Sequence, residues 1–177
     1  LRSRCYGGTM PFAKRIAWRS EATGKAIADA IRDAGRVMVR LHTLGDFPSF
    51  QYAERLLKAV TSSGGAAFGF THYAPESRLG PAIRRMAAAN WDIFSIRTSY
   101  LAGSRAPIPE RSAVIVEHPD QAKEHNAVVC PEQMGKVASC ASCGFCWHSQ
   151  RPVAFVLHER LAKLRAEKEQ PRQAAAR

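Results

Sequence analysis

The sequence has no apolar run of about 18 residues, the length that a membrane-spanning helix needs. It also lacks a basic N-terminal segment followed by a short apolar core, which is the pattern of a secretory signal peptide. No unit of about 20 to 50 residues repeats along the chain, so neither a solenoid nor a propeller is predicted. We therefore expect a cytoplasmic protein that makes no membrane contact.

Acidic residues are scarce: 15 Asp and Glu stand against 26 Lys and Arg, which gives a formal net charge of +11 and a pI near 10.0. A polyanion such as nucleic acid is therefore a candidate partner on electrostatic grounds. Five of the basic residues fall in the first 19 positions, where no acid occurs. Such a segment is typical of a phosphate-binding arm and equally of a solvated basic leader, and no nucleic-acid-binding motif accompanies it.

Cysteine is sparse, with five residues in 177, and its count is odd. An odd count in a reducing compartment argues against a disulfide framework and for metal ligation or reactive thiols. Four of the five, Cys130, Cys140, Cys143 and Cys146, fall within 17 residues. Spacings of two residues allow successive thiolates to face one centre, and Gly144 provides the backbone freedom that such a tight turn needs. The segment therefore predicts a metal site.

The spacing of the cysteines favours an iron-sulfur cluster over zinc. Three of the cysteines share a single Cys-x-x-Cys-x-x-Cys run, and Cys130 lies upstream and is followed directly by Pro131. Zinc sites usually pair two Cys-x-x-Cys turns from separate loops, whereas this arrangement is closer to the ferredoxin pattern of a cubane iron-sulfur cluster. We therefore favour an iron-sulfur cluster. Zinc is the alternative, disulfides or unliganded thiols stay open, and His148 is a weaker candidate ligand because four thiolates already suffice.

The chain is long enough for one core, since 46% of its 177 residues are hydrophobic, and we expect a single domain over residues 1–177. Hydrophobic patterning alternates between the periods of strands and helices. This alternation predicts an α/β fold, with a mostly parallel sheet of βα repeats that is open or curled toward a partial barrel. The predicted parts are a basic N-terminal segment (1–20), a βα core (21–119), a cysteine-rich metal-binding segment (120–158), and a C-terminal helix with a frayed tail (159–177).

Local signals place the elements within this outline. Three helices are predicted. The first covers residues 21–34, the second begins at a cap at Ser49 and ends before Gly64, and the third covers residues 80–90. The predicted strands cover residues 36–42, 67–73, 92–99, 113–118 and 153–158, the last of which also fits the start of a terminal helix.

Each of the first four predicted strands turns polar at its carboxyl end, where parallel α/β sheets bind their ligands. This predicts a pocket for a polar or anionic substrate. The residues assigned to substrate binding are Arg40, His72 and Arg97, and those assigned to proton transfer are His42, Asp46 and Glu117.

Each of these residues also has a structural interpretation. His42, taken alone, is more often a hydrogen-bonded structural histidine than a catalyst. Asp46 after Gly45 fits an Asx turn, and Arg40 and Arg97 fit ion pairs with neighbouring carboxylates. Composition and spacing do not choose between the two interpretations.

Several short motifs, taken in order, resemble the phage gene-product-88 family over nearly the whole chain. The family occurs in phages, prophages and plasmids. The motifs are Cys5-Tyr6-Gly7, Arg40-Leu41-His42 followed by Gly45-Asp46-Phe47 and Tyr52, Phe70-Thr71-His72-Tyr73, Cys130-Pro131, and Cys140-x-x-Cys143-Gly144-x-Cys146.

Members of that family look similar to radical S-adenosylmethionine proteins, which carry an N-terminal cysteine group ending in Cys-Tyr before a partial βα barrel. The resemblance implies that Cys5 is the last member of such a group, as part of a second, incomplete metal site. It also implies S-adenosylmethionine as a cofactor. The earlier cysteines of the group are not in this sequence, which begins at Leu1, so we expect that the N-terminal end of a longer protein is missing.

Two hypotheses from different classes follow. The first is an iron-sulfur protein of the gene-product-88 type with a radical-type enzymatic activity on a polar or anionic substrate. The second is a non-catalytic nucleic-acid-binding module that zinc or a cluster stabilises, with Arg84 and Arg85 among its phosphate contacts.

Overall fold

The computed structural model describes residues 21–42, 45–74, 76–104 and 110–157. These residues form two compact units. The first contains the described residues up to Ser99 together with Gly144–Gln150, and the second contains those of Tyr100–Cys143 and those from Arg151 onward. The basic segment, Cys5 and the predicted terminal helix lie outside the described residues.

The three predicted helices of the βα core are confirmed. They are α1 (Glu21–Ala34), α2 (Phe50–Ser63) and α3 (Gly80–Ala89). The predicted cap of α2 is present, since the hydroxyl of Ser49 accepts the N–H of Tyr52 at 3.1 Å. Gly64 ends the helix in the left-handed conformation, with a φ of 66°. The longest helices in the described ranges have 14 residues, and none is long and apolar enough to cross a bilayer.

The strands form a sheet with the order β1-β2-β3-β4-β6-β5. Four pairs, β1 with β2, β2 with β3, β4 with β6, and β5 with β6, are parallel. The α/β class with a parallel sheet is therefore confirmed. The strands are β1 (Met38–Arg40), β2 (Ala66–Thr71), β3 (Phe94–Leu101), β4 (Ser112–Val116), β5 (Val128–Val129) and β6 (Val153–Val156).

Most of the predicted strand bounds differ from the observed bounds by a few residues, and two of the differences affect predicted site residues. The first strand is shorter than residues 36–42, because His42 leaves the extended region with a φ of 50°. The third strand is longer at its carboxyl end, since β3 continues to Leu101. The prediction that Arg97 stands at a strand end is therefore wrong: Arg97 lies inside β3.

Four short elements were not predicted, and all of them lie near the cysteines. They are a 3-10 helix (Pro119–His125), the two-residue strand β5, and two one-turn helices, α4 (Cys140–Cys143) and α5 (Phe145–His148). The 3-10 helix begins at a capping box in which His118 and Gln121 exchange side-chain and backbone bonds.

Each unit has its own apolar core. In the first, α2 and α3 pack their buried faces on β2 and β3, and the fully buried side chains include Phe47, Leu56, Ile83 and Phe94. In the second, the core includes Tyr100, Val114, Val116, Ala154 and Val156. Full burial of one such side chain contributes about 1.5 to 3 kcal/mol, so each core stabilises its own unit.

Candidate functional site

Cys130 directly follows β5 and begins a tight turn. Its N–H donates to the carbonyl of Ala154 at 2.9 Å, and its own carbonyl accepts the N–H of Met134 at 3.2 Å. The side chain is buried, with 6% of its surface exposed. The backbone N–H groups of Gln133 and Glu132 donate to the sulfur. The turn therefore presents two hydrogen-bond donors to a thiolate at this position.

The environment of Cys130 acts on its thiol in opposite directions. Burial raises the pKa of the Cys130 thiol above its ordinary value, the N–H groups of Gln133 and Glu132 lower it, and the charges of Glu132 and Cys140 raise it again. The effect of Cys140 places these two predicted ligands, both in the second unit, within electrostatic reach of each other.

The helix α4 carries two more of the predicted ligands. Cys140 and Cys143 are three positions apart and therefore share one face of the helical turn. Ser139 starts the turn: its hydroxyl accepts the N–H of Ser142 at 3.2 Å, and its carbonyl accepts the N–H of Cys143 at 3.1 Å. Both cysteines are free and partly exposed, so their thiols are accessible to a metal.

Gly144 separates α4 from α5 and adopts the left-handed conformation, with a φ of 65°. A Cβ atom at this position would meet Cδ2 of His148 at 2.6 Å, well below van der Waals contact. The backbone freedom predicted at Gly144 is therefore confirmed. It allows the chain to turn between Cys143 and Cys146.

Cys146 lies in α5, which belongs to the first unit, and the side chain of Arg97 holds its backbone. Nε of Arg97 donates to the carbonyl of Cys146 at 3.0 Å, and Nη2 donates to the carbonyls of Ser149 at 2.5 Å and Phe145 at 3.3 Å. Burial lowers the pKa of Arg97 to about 10, and the negative charge of Cys146 opposes this shift. The sulfur of Cys146 thus lies near a buried cation.

The remaining side chains of α5 pack beside this contact. The ring of Trp147 is buried and lies 4.8 Å from the ring of Phe68, between centroids. Its indole N–H donates to Nε2 of His148 at 3.0 Å. Trp147 thus covers one side of α5 with apolar surface, while His148 is exposed and has one ring nitrogen engaged.

The donor set suits a metal by its chemistry. None of Cys130, Cys140, Cys143 and Cys146 forms a disulfide in the described part of the chain, and thiols are the ligand type that iron-sulfur clusters and zinc share. Among the described residues, no group of three or more His, Cys, Asp or Glu side chains has converged into a metal-binding arrangement.

Asp46 organises a second group of polar residues, at the carboxyl ends of β1 and β2. One carboxylate oxygen accepts the N–H of Phe47 at 2.8 Å. The other accepts the N–H of His72 at 2.7 Å and the hydroxyl of Thr71 at 3.2 Å. Asp46 therefore ties the loop after β1 to the end of β2. Its bond to Phe47 is to the next residue and not to the second one, so it is not the predicted Asx turn.

His42 lies against the same loop. Its ring centroid is 4.4 Å from that of Phe47 in an edge-on arrangement, and its Nε2 is 3.3 Å from the hydroxyl of Tyr52. Its Nδ1 is buried and has no hydrogen-bond partner in the part of the chain that the structure describes. Burial lowers the pKa of His42, and the charge of Asp46 opposes this, so the imidazole is neutral at neutral pH.

The structure brings together some of the predicted strand-end residues. His42, Asp46 and His72 belong to one cluster, with the backbone of His72 bonded to Asp46. Arg40 is exposed at the end of β1. Glu117 follows β4 in the second unit, where it is exposed and its N–H donates to the side chain of Gln121 at 2.8 Å.

The prediction missed three residues that shape these sites. Tyr52 and Thr71 entered only within the motifs of the family resemblance, although Tyr52 bonds to His42 and Thr71 to Asp46. Thr71 is fully buried against Asp46, and Gln133 is buried beneath the Cys130 turn. No local signal identifies them, because a buried Thr or Gln has the same sequence appearance as an exposed one.

The chain thus carries a cysteine segment in which hydrogen-bonded turns hold the four thiols and, separately, a polar cluster at the ends of β1 and β2. Arg97 contacts the former rather than the latter. Comparisons with protein-family models, with curated proteins and with solved structures found no match to this chain.

Proposed function

We propose that this protein binds an iron-sulfur cluster through the thiolates of Cys130, Cys140, Cys143 and Cys146. The observation that carries the proposal is the turn at Cys130, whose sulfur faces two backbone N–H groups. Hydrogen bonds of this kind stabilise the negative charge on metal-bound sulfur, and they are part of what sets the properties of iron-sulfur clusters.

The other three thiols support the same proposal. Cys140 and Cys143 share a face of α4, and the left-handed Gly144 turns the chain before Cys146. The spacing and the upstream Cys-Pro dipeptide favour a cubane cluster over zinc. When bound, such a cluster supplies either one-electron transfer or a covalent cross-link of the turns that carry its ligands.

The family resemblance extends the proposal to an enzyme of the gene-product-88 type that uses S-adenosylmethionine on a polar or anionic substrate. For this activity the described residues offer a neutral, half-buried imidazole at His42 as a proton acceptor, with Tyr52 at 3.3 Å from its Nε2. Asp46 positions the loop beside it. The exposed Arg40 and His72 are the proposed contacts for the substrate.

Anaerobic purification followed by absorption spectroscopy and by iron, sulfide and zinc analysis tests the proposal. We expect a brown protein with about four iron and four sulfide per chain, the content of a cubane cluster. Cys130→Ser and Cys143→Ser should each lose most of the iron. Lys136→Ala is the control, because it removes an exposed side chain of the same segment that is not a proposed ligand, and it should keep the wild-type content.

A colourless protein with one zinc per chain would overturn the iron-sulfur proposal in favour of the zinc-stabilised nucleic-acid module. The net charge of +11 is the observation that favours that second function. Arg85 is exposed on α3, whereas Arg84 donates to the carbonyl of Tyr73 at 3.5 Å. Binding of a DNA duplex that weakens steeply with salt, and weakens further in Arg85→Ala than in Arg84→Ala, would support the module.

A further inference from the structure

Arg97 occupies an unusual position for an arginine. It lies inside β3 with none of its surface exposed, although arginine is almost never fully buried without partners. Its partners include three backbone carbonyls, those of Phe145, Cys146 and Ser149, which all belong to α5 or its C-cap. The guanidinium is thus used to hold a segment about 50 residues further along the chain.

Aromatic rings complete the environment of the guanidinium. Its central carbon lies 5.4 Å from the ring centroid of Trp91 and 5.8 Å from that of Phe145. Both distances are within the range of cation–π attraction, which is strongest where the cation is removed from water. Carbonyl dipoles and ring faces together therefore stabilise the buried charge.

The helix α5 needs such an anchor. It has four residues, and an isolated helix of one turn does not form in water because nucleation is unfavourable. Arg97 donates to the carbonyl of the helix residue Cys146 and to that of the C-cap residue Ser149, which lie at the end of the helix, where intrahelical N–H donors run out. The planar fork of arginine suits this task, since one group reaches several acceptors at fixed geometry.

We infer that Arg97 is a positioning residue for Cys146: it fixes the backbone of α5 so that this thiol is held in place before a metal arrives. The inference rests on the proposed function, in which Cys146 is a metal ligand. A ligand that is already ordered loses less conformational freedom on binding, so metal is held more tightly than by a mobile turn. Loss of Arg97 should therefore weaken metal binding although Arg97 touches no metal.

The first test uses the metal-free, full-length protein and does not depend on metal binding. Hydrogen exchange is followed in the peptide that contains residues 145–149, where the N–H groups of Trp147, His148 and Ser149 bond to carbonyls of Gly144 and Phe145. We expect faster exchange there in Arg97→Met and an intermediate rate in Arg97→Lys, because an ammonium keeps the charge but not the fork. Arg85→Met, which removes an exposed guanidinium of the same unit, should exchange as the wild type does. Unchanged exchange in Arg97→Met would overturn the inference.

The second test measures how fast the metal-loaded protein releases metal to a chelator. We expect release about tenfold faster in Arg97→Met than in the wild type, with partial recovery in Arg97→Lys and no change in Arg85→Met. If the wild type binds metal and all variants release it at one rate, the inference is wrong while the proposed function stands. If the wild type binds neither iron nor zinc, the proposed function is wrong, and the exchange test still decides whether Arg97 anchors α5.

Phe145→Leu serves if Arg97→Met and Arg97→Lys fail to fold, because it keeps Arg97 and removes one ring face. It should reduce the protection of residues 145–149 from hydrogen exchange, by less than loss of Arg97 would, and it should make metal release faster.

Discussion

The side chain of Gln133 pairs with the backbone of Val156 in both directions. Its Nε2 donates to the carbonyl of Val156 at 2.6 Å, and the N–H of Val156 donates to its Oε1 at 2.8 Å. Gln133 is buried, with 8% of its surface exposed. The amide therefore bonds to β6 as a neighbouring strand would, and it fixes the turn that begins at Cys130 to the sheet.

Replacing Gln133 by Met should destabilise the second unit by about 2 kcal/mol or more, because both polar groups of Val156 would be left buried without their partner. Urea unfolding followed by far-ultraviolet circular dichroism measures the loss. Gln121→Met is the control, since Gln121 also accepts two backbone N–H groups, from Glu117 and His118, but near solvent. An equal loss of stability in the two variants would contradict the prediction that the buried amide of Gln133 contributes more than the amide of Gln121.

Gly144→Ala should be more destabilising than Gly135→Ala. Both glycines have a left-handed backbone, with φ of 65° and 68°, so both substitutions incur the conformational cost of about 1 kcal/mol. At Gly135 a Cβ atom meets nothing within 4 Å, whereas at Gly144 it meets Cδ2 of His148 at 2.6 Å. Urea unfolding of the metal-free variants isolates the steric part as the difference between them. The prediction fails if the two losses are the same.

The long elements could be predicted from the sequence because their periodicity extends over enough residues. The helix α1 was predicted at its observed bounds, and the cap at Ser49 correctly set the start of α2. The strand β5 has two residues, and α4 and α5 have four each, so no period can develop in them. These elements are stabilised by contacts with residues far away in sequence.

Arg97 illustrates why the site was harder to predict than the fold. The sequence indicates a strand and places an arginine near its end, where a substrate contact is a sound expectation. The three carbonyls that bind this arginine lie 48 to 52 residues further along the chain. Carbonyls are present in every residue and leave no mark in the sequence, so a partner of this kind cannot be read from it. The cysteine spacing, in contrast, is local and is visible without any structure.

Asp46→Asn should destabilise the first unit by about 1 to 3 kcal/mol. An asparagine has one acceptor oxygen, so it can accept either from the N–H of Phe47 or from Thr71 and His72. Its NH₂ group would then face the remaining N–H or O–H donors, with which it cannot form a hydrogen bond. Fluorescence of Trp91 and Trp147, which are buried in this unit, reports the unfolding. Asp33→Asn removes an exposed carboxylate from α1 and should change the stability little. A similar small change in Asp46→Asn would show that the loop does not depend on this carboxylate.

Burial of His42 should make the stability of the protein fall in acid. Burial lowers the pKa of His42 below its ordinary value of 6.5, and the charge of Asp46 only partly opposes this, while Tyr52 is the neighbouring titratable group on α2. As the pH falls through 6.5, the unfolded chain takes up a proton that the folded chain does not. The unfolded state then binds more protons, so the free energy of unfolding decreases with falling pH, and above this range the contribution of His42 is constant.

Unfolding by urea from about pH 8 to about pH 5, at constant ionic strength, measures this dependence in the wild type and in His42→Asn. Asparagine is the suitable replacement, because it tolerates the left-handed backbone found at this position, where φ is 50°. We expect the wild type to lose stability relative to the variant below about pH 6.5, with a slope that approaches but does not exceed about 1.4 kcal/mol per pH unit for one proton. A difference between the two proteins that is the same at every pH would mean that the imidazole is protonated in the folded chain as readily as in the unfolded one, and burial would then not lower its pKa.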